Sequence, residues 1–302
     1  MSNLQNLTVI IVTYRTNNEI LDNCINSIDP QVKILIVENS EDLNFKKDYE
    51  NKFKNVSVIL SNKNLGYGAG NNFGFRNIKT RYGMISNPEV IYDVNFFKEI
   101  DYYLNGDINF NIIGPSYISH DEYLPYGSFD NKKNIFLKEK KYNDNNLKEV
   151  DWIIGCTMLI DTKKFETNNY FDENIFLYFE EIDFCRQTKL NGGKVFTCSK
   201  LIVTHLGHKG SAATDPNYTI ESEIFRNWHW MWSSFYYHKK YSNYFLAFIK
   251  MFGKFTKSFI KMIFYTLYYD QKKRTMYYAR FTGLLNSFIG KKSWYRVKSL
   301  FK

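Results

Sequence analysis

The N-terminal part of the chain predicts an α/β fold with an open parallel sheet, and three observations carry that prediction. Leu7–Tyr14 is an almost unbroken β-branched run, the pattern of a parallel strand buried on both faces. Val32–Val37 and Val56–Leu60 repeat the character at short spacing. The stretches between them carry apolar residues at helical intervals, so the order reads βαβαβ.

In the first connection, Asn17 or Asn18 can cap a helix whose apolar positions are Ile20, Leu21, Cys24, Ile25 and Ile28. An amphipathic stretch around Phe45–Phe53 fills the second. Ligands of such sheets bind beyond the carboxyl ends of the strands, which is where Thr13, Tyr14, Glu38 and Asn39 fall. Ser61–Asn72 follows, with three glycines and four asparagines around a helix start near Ala69. Glycines there let backbone amides approach a phosphate or a sugar, although a surface turn has the same composition. A strand at Tyr82–Ser86 ends in Asn87-Pro88-Glu89, a rigid turn that presents a carboxylate.

The polar, lysine- and asparagine-rich stretch from Pro115 to Val150 reads as a solvated loop, with Asp121, Tyr123, Tyr126 and Asp130 as candidates to line an acceptor site. Val150–Asp161 returns to strand character; Gly155 and Cys156 are small enough for a sugar to approach the backbone, and Trp152 is a core residue or a stacking platform. Phe176–Arg186 is the most informative run. An aromatic, strand-like segment leads into a helix whose first turn holds Glu180, Glu181 and Asp183, with Ile182, Cys185 and Leu190 toward the core. Glu181 then projects from the helix start, where a general base would stand. After Gly192-Gly193, Lys194–Cys198 reads as a strand, and Val203–Ser211 supplies His205 and His208.

Taken in order, V-I-I-V-T-Y, I-V-E-N-S, N-x-G-Y-G-A-G-N-N, S-N-P-E, G-C-T-M-L-I, F-D-E-x-x-F-L-Y-F-E-E-x-D-F-C-R and H-x-x-H-x-G-S resemble family 2 glycosyltransferases of GT-A fold. Within them the chain is most similar to the bacterial rhamnosyltransferase branch, which also holds galactofuranosyltransferases. The resemblance spans about Leu7 to Ser211. It implies a Rossmann-like GT-A domain, a nucleoside-diphosphate sugar donor and a divalent cation, Mn2+ or Mg2+. It assigns the nucleotide base to Glu38 with Thr13 and Tyr14, the donor sugar to Asn64, Gly66 and Asn71, with Asn39 and Asn87 beside them, the metal to Glu89 and to His205 in preference to His208, and the catalytic base to Glu181 beside Glu180 and Asp183. The family typically has aspartate where Glu38, Glu89 and Glu181 stand, so each carboxylate here reaches one methylene further. The implied reaction is inverting transfer of a rhamnose-like or galactofuranose-like sugar to a lipid-linked or growing bacterial surface glycan, such as an O-antigen or capsule. A weakened or silent relative acting as a membrane adaptor is one alternative. A nucleotidyltransferase is another, though Thr13-Tyr14-Arg15 lacks the glycine-rich, basic phosphate clamp expected after its first strand.

Charge divides the chain. Residues 226–302 carry 16 Lys or Arg against the single acid Asp270, whereas the preceding 225 residues carry 24 basic against 30 acidic side chains. Of those last 77 residues, 24 are aromatic. Within Phe245–Tyr269, lysines 250, 254, 257 and 261 fall on one side of a helix and Phe248, Phe252, Phe255, Phe259 and Ile263 on the other. This predicts a GT-A domain over 1–225 and a helical region over 226–302 that associates with an anionic membrane surface, a core helix being the alternative. No nucleic-acid motif accompanies the charge. Four cysteines without C-x-x-C spacing, no signal-peptide pattern and no run of 18 apolar residues point to a cytoplasmic protein, peripheral on the inner face of the cell membrane.

Overall fold

The computed structural model describes residues 2–40, 42–119, 125–130, 141–166, 170–206 and 216–296. The chain divides into two units, Met1–Asp172 with Glu181–Ala212, and Glu173–Glu180 with Ala213–Lys302.

The first unit begins with the predicted repeat: β1 (Leu7–Thr13), α1 (Asn18–Asn26), β2 (Lys33–Glu38), α2 (Leu43–Lys52), β3 (Val56–Leu60), α3 (Tyr67–Phe75) and β4 (Tyr82–Ser86). Asn17 caps α1 through its side chain. There follow β5 (Val90–Tyr92), α4 (Phe96–Tyr103), β6 (Ile112–Ser119), the short β7 (Tyr126–Gly127), β8 (Leu147–Glu149) and β9 (Trp152–Ile153), then β10 (Thr157–Asp161), α5 (Glu180–Leu190) and β11 (Val195–His205). The main sheet runs β3-β2-β1-β4-β10-β6-β11-β5, with β8 on β11, and β7 pairs with β9.

The sheet is mixed rather than wholly parallel. β1, β2, β3 and β4 are parallel, and β11 is parallel to β6. β10 runs against β4 and β6, and β5 runs against β11. Alternate residues of β1 enter opposite cores, Val9 and Ile11 on one face and Ile10 with Val12 on the other, which is why the strand reads as a continuous apolar run. Helix α3 lies close on β1: a Cβ at Gly74 would come within 2.5 Å of Ile10.

Three local expectations need correction. Phe176–Phe179 is no strand, because Tyr178 and Phe179 hold φ of 67° and 72°, outside the extended region. The strand expected at Lys194–Cys198 continues to His205 through a register irregularity between Cys198 and Ile202. Leu190 is exposed, while Cys185 is buried as expected.

The second unit is built on three helices, α6 (Pro216–Tyr241), α7 (Tyr244–Leu267) and α8 (Gln271–Phe288). The charge-based boundary at 225 falls inside α6. Asn243 and Asp270 cap α7 and α8. Met231, Phe235, Ala247, Met251, Leu284 and Phe288 form the core among them. Helices α6 and α8 approach so closely at Gly283 that a Cβ there would lie 2.5 Å from the Trp228 carbonyl oxygen. The apolar row expected to face outward on α7 is divided: Phe248 and Phe255 pack on Phe288, whereas Phe252, Phe259 and Ile263 are exposed, Phe259 with its ring beside Phe281. Among the described residues, no helix is long and apolar enough to cross a membrane.

Candidate active site

Strand direction decides which residues meet. β1, β2 and β4 point the same way, so Thr13, Glu38 and Asn87 come to one rim of the sheet. β10 is antiparallel to β4, which brings its leading residues Gly155 and Cys156 to that rim. β11 shares the direction of β4 and ends there at His205; β5 opposes it and starts there, just after Glu89. Of the nominated residues, Thr13, Glu38, Asn39, Asn64, Gly66, Asn71, Asn87, Glu89, Glu181 and His205 are joined around this rim by a chain of contacts.

At the β1–β2 end, Thr13 Oγ1 donates to Glu38 Oε2 at 2.5 Å, and the Asn39 backbone amide donates to the Thr13 carbonyl. Glu38 is buried, and burial pushes its pKa up against the hydrogen bonds from Thr13 and Ser40. The Asn39 side chain donates to the Gly66 carbonyl and accepts from Ser61 Oγ. Gly66 stands at the N-terminus of α3 with φ of 87°, a conformation glycine adopts without penalty. Tyr14 sits half-buried beside the positive-φ residue Arg15, whose guanidinium lies 5.5 Å from its ring centre. The Asn64 side chain accepts from the Gly66 amide, fixing the loop. Asn71 is fully buried and donates to the Tyr67 carbonyl inside α3, and its neighbour Asn72 holds the backbone of Tyr170 and Phe171.

The next link was not nominated from the sequence. Tyr67, between two glycines of the loop motif, donates its hydroxyl to the Gly155 carbonyl. A Cβ at Gly155 would lie 3.1 Å from Glu181 Cβ and 3.7 Å from the Tyr67 ring, so the missing side chain makes room for both. The adjoining Cys156 carbonyl accepts from the Asn87 amide, tying the Glu181 side to the Asn87–Glu89 turn.

Glu181 is partly buried near the start of α5, and burial pushes its pKa up to about 7, against stabilising hydrogen bonds from the Glu181 and Ile182 amides. Such a carboxylate exchanges a proton near neutral pH. Glu180 and Asp183 are buried. Two residues in left-handed conformation, Tyr178 and Phe179, immediately precede the helix, and within the second unit both pack on Trp230.

Glu89 Oε1 lies 3.5 Å from His205 Nε2, with both side chains largely buried, and the Asn87 side-chain nitrogen Nδ2 donates to that carboxylate oxygen at 3.4 Å. The Leu206 amide bonds the Glu89 carbonyl, extending the β5–β11 pairing that sets this distance. Two donors about 2.1 Å from one divalent ion span a similar separation, and a carboxylate with an imidazole suits a manganese-like ion. Among the described residues no group of three or more His, Cys, Asp or Glu is gathered to hold a metal ion. The Glu89–His205 pair by itself fits two positions on a divalent cation. His208, Asp121 and Tyr123 lie outside the described residues.

Residues 8–168 match Glycosyl transferase family 2. The chain belongs to that family. It is 26% identical over 212 residues to the low-salt glycan biosynthesis hexosyltransferase Agl10 of Haloferax volcanii, covering 67% of each protein. It is 33% identical over 92 residues to rhamnosyltransferase WbbL of Escherichia coli K12, covering 30% of this chain and 31% of that one. Among solved structures it is similar to the mannosyltransferase PcManGT of Pyrobaculum calidifontis in complex with GDP-Man and Mn2+, at TM-score 0.54 and 9% identity over 95% of this chain and 88% of that one. It is also similar to GalNAc-T7 with UDP, GalNAc and Mn2+, at TM-score 0.54 and 12% identity over 76% and 50%. The domain is therefore a glycosyltransferase of GT-A-type fold, and the nucleotidyltransferase alternative falls away.

Proposed function

We propose that the chain transfers a rhamnose-like or galactofuranose-like sugar, with inversion, from a nucleoside-diphosphate donor to a hydroxyl of a lipid-linked or growing surface glycan at the cytoplasmic face of a membrane. The observation that carries the reading is the placing of a carboxylate with a pKa near 7 and a Glu–His pair on one rim, linked through Gly155, Cys156 and Asn87.

Glu38 and Thr13 receive the nucleoside at the β1–β2 end, and the amides at the start of α3 face the phosphate side. Glu89 and His205 would hold a divalent cation, and such an ion would supply Lewis-acid neutralisation of diphosphate charge. Glu181 takes the proton of the acceptor hydroxyl as that oxygen bonds the anomeric carbon from the face opposite the diphosphate and the bond to the diphosphate breaks. One inversion results, and no covalent enzyme intermediate forms. Glu180 and Asp183 support the orientation of the helix that carries the base. The similarity to WbbL favours a rhamnose-like donor, and the size and charge of the helical region favour a membrane-bound acceptor.

The test is a thermal-unfolding screen of dTDP-, UDP- and GDP-sugars with Mn2+. A donor present at 100 times its dissociation constant adds about 2.7 kcal/mol, and Glu38→Ala removes that protection. Protection by none of the nucleotide sugars would overturn the reading.

A further inference from the structure

The second unit presents a surface that the transfer reaction does not use. On α7, Phe245, Ile249, Phe252, Ile260, Ile263 and Leu267 follow the helical repeat and form one stripe along its outer side. Phe245 is 67% exposed, Ile249 56%, Ile260 64% and Leu267 70%. A contiguous apolar stripe of this kind is uncommon on a soluble surface and marks an interaction site. It is not the face that holds the bundle together, because Ala247, Met251 and Ser258 are buried on the opposite side and Phe248 and Phe255 pack on Phe288.

Beside the stripe, on the flank away from Phe248 and Phe255, Lys250, Lys254 and Lys257 are exposed, and α7 contains no acidic residue. The helix thus shows three sectors: one packed in the bundle, one apolar toward solvent, and one cationic along the apolar edge. A protein partner would need an apolar groove edged by carboxylates along some 36 Å, the length of a 24-residue helix. A bilayer interface of anionic lipids supplies both features everywhere along its plane.

We infer that α7 lies in the plane of an anionic bilayer, with the Phe245–Leu267 stripe inserted below the headgroups and the Lys250, Lys254 and Lys257 row on their phosphates. This deepens the membrane part of the proposed function and rests on it only for the purpose of docking, since the surface is independent of the sugar-nucleotide site. The residues inserted are those left outside by the packing of Phe248 and Phe255.

The experiment is co-sedimentation of the full chain with sucrose-loaded vesicles of phosphatidylcholine, alone or with about one-third phosphatidylglycerol. Wild type is expected to bind the anionic vesicles at least about tenfold more tightly than the neutral ones. The triple change Ile249→Ser, Ile260→Ser and Leu267→Ser is expected to weaken binding to both by more than about tenfold. Lys250→Gln, Lys254→Gln and Lys257→Gln is expected to abolish the preference for anionic lipid while leaving the helix content unchanged by circular dichroism. Equal binding of wild type and the serine variant overturns the inference. So does a lipid-free dimer, seen by sedimentation velocity, that the serine variant dissociates while wild type ignores vesicles. Nucleotide-sugar protection against unfolding, measured on the same samples, reports the transferase reading separately: its loss with vesicle binding intact would indict that reading and not the docking surface.

Discussion

Glu181→Gln removes the proposed base while keeping its size. Burial lifts the carboxyl from an ordinary value of 4.5 to about 7, a difference worth about 3 kcal/mol between its two protonation forms. At pH 6 roughly a tenth of the free enzyme then holds Glu181 ionised, and at pH 8 roughly nine-tenths. In wild type, kcat/KM should fall about tenfold for each pH step below 7 and level off above it. Loss of a general base costs about 10²- to 10⁴-fold, so the glutamine variant should lose that much in kcat at pH 8 and lose the acid limb with it. Stability moves the other way. A carboxylate whose folded pKa is raised makes the fold less stable as pH climbs from about 4.5 to about 7, so the glutamine variant should be the more stable protein above pH 7 and equal to wild type below about 4. The assay is the initial rate of sugar transfer from the donor found by thermal shift, between pH 5.5 and 8.5, with urea unfolding beside it. A variant within about threefold of wild type, or one that keeps the same acid limb, would refute the assignment.

Gly155→Ala places a Cβ 3.1 Å from Glu181 Cβ; a displacement of the base by a fraction of an ångström should lower kcat about tenfold or more with little change in the unfolding midpoint. Glu38→Gln keeps an acceptor for Thr13 but removes a carboxyl that burial holds above its ordinary pKa. It should be more stable than wild type at pH 8, with the gain gone near pH 4, and it should bind the nucleotide more weakly by calorimetry. Gly283→Ala drives a methyl toward the Trp228 carbonyl oxygen and should destabilise the helical unit by roughly 1–3 kcal/mol, read as loss of near-ultraviolet tryptophan dichroism at lower urea.

The β1–β4 half of the sheet was legible because burial on both faces leaves continuous apolar runs, and the Asn17 cap was legible because its chemistry is local. The direction of β10 was not, since a strand reads alike both ways; yet that direction is what brings Gly155 to the rim. Phe176–Phe179 resembled a strand by composition, and two left-handed residues held against Trp230 override that propensity. Glu89 and His205 are 116 positions apart, and their 3.5 Å approach depends on the antiparallel pairing of β5 with the far end of β11. Tyr67 escaped notice because its role is a single hydroxyl contact across the rim, although its place between two glycines was a signal. On α7 the period exposed an amphipathic helix, but only the packing of Phe248 and Phe255 on Phe288 shows which aromatic residues remain outside.

The most direct test of a shared cation and donor site is electron paramagnetic resonance of Mn2+ titrated into the protein with and without the nucleoside diphosphate of the best donor. Loss of the free-ion signal should occur at lower protein concentration when the nucleotide is present, and Glu89→Gln and His205→Ala should each weaken that ternary binding by about tenfold or more. Mn2+ binding that ignores the nucleotide, or that both variants retain at wild-type strength, would contradict the account.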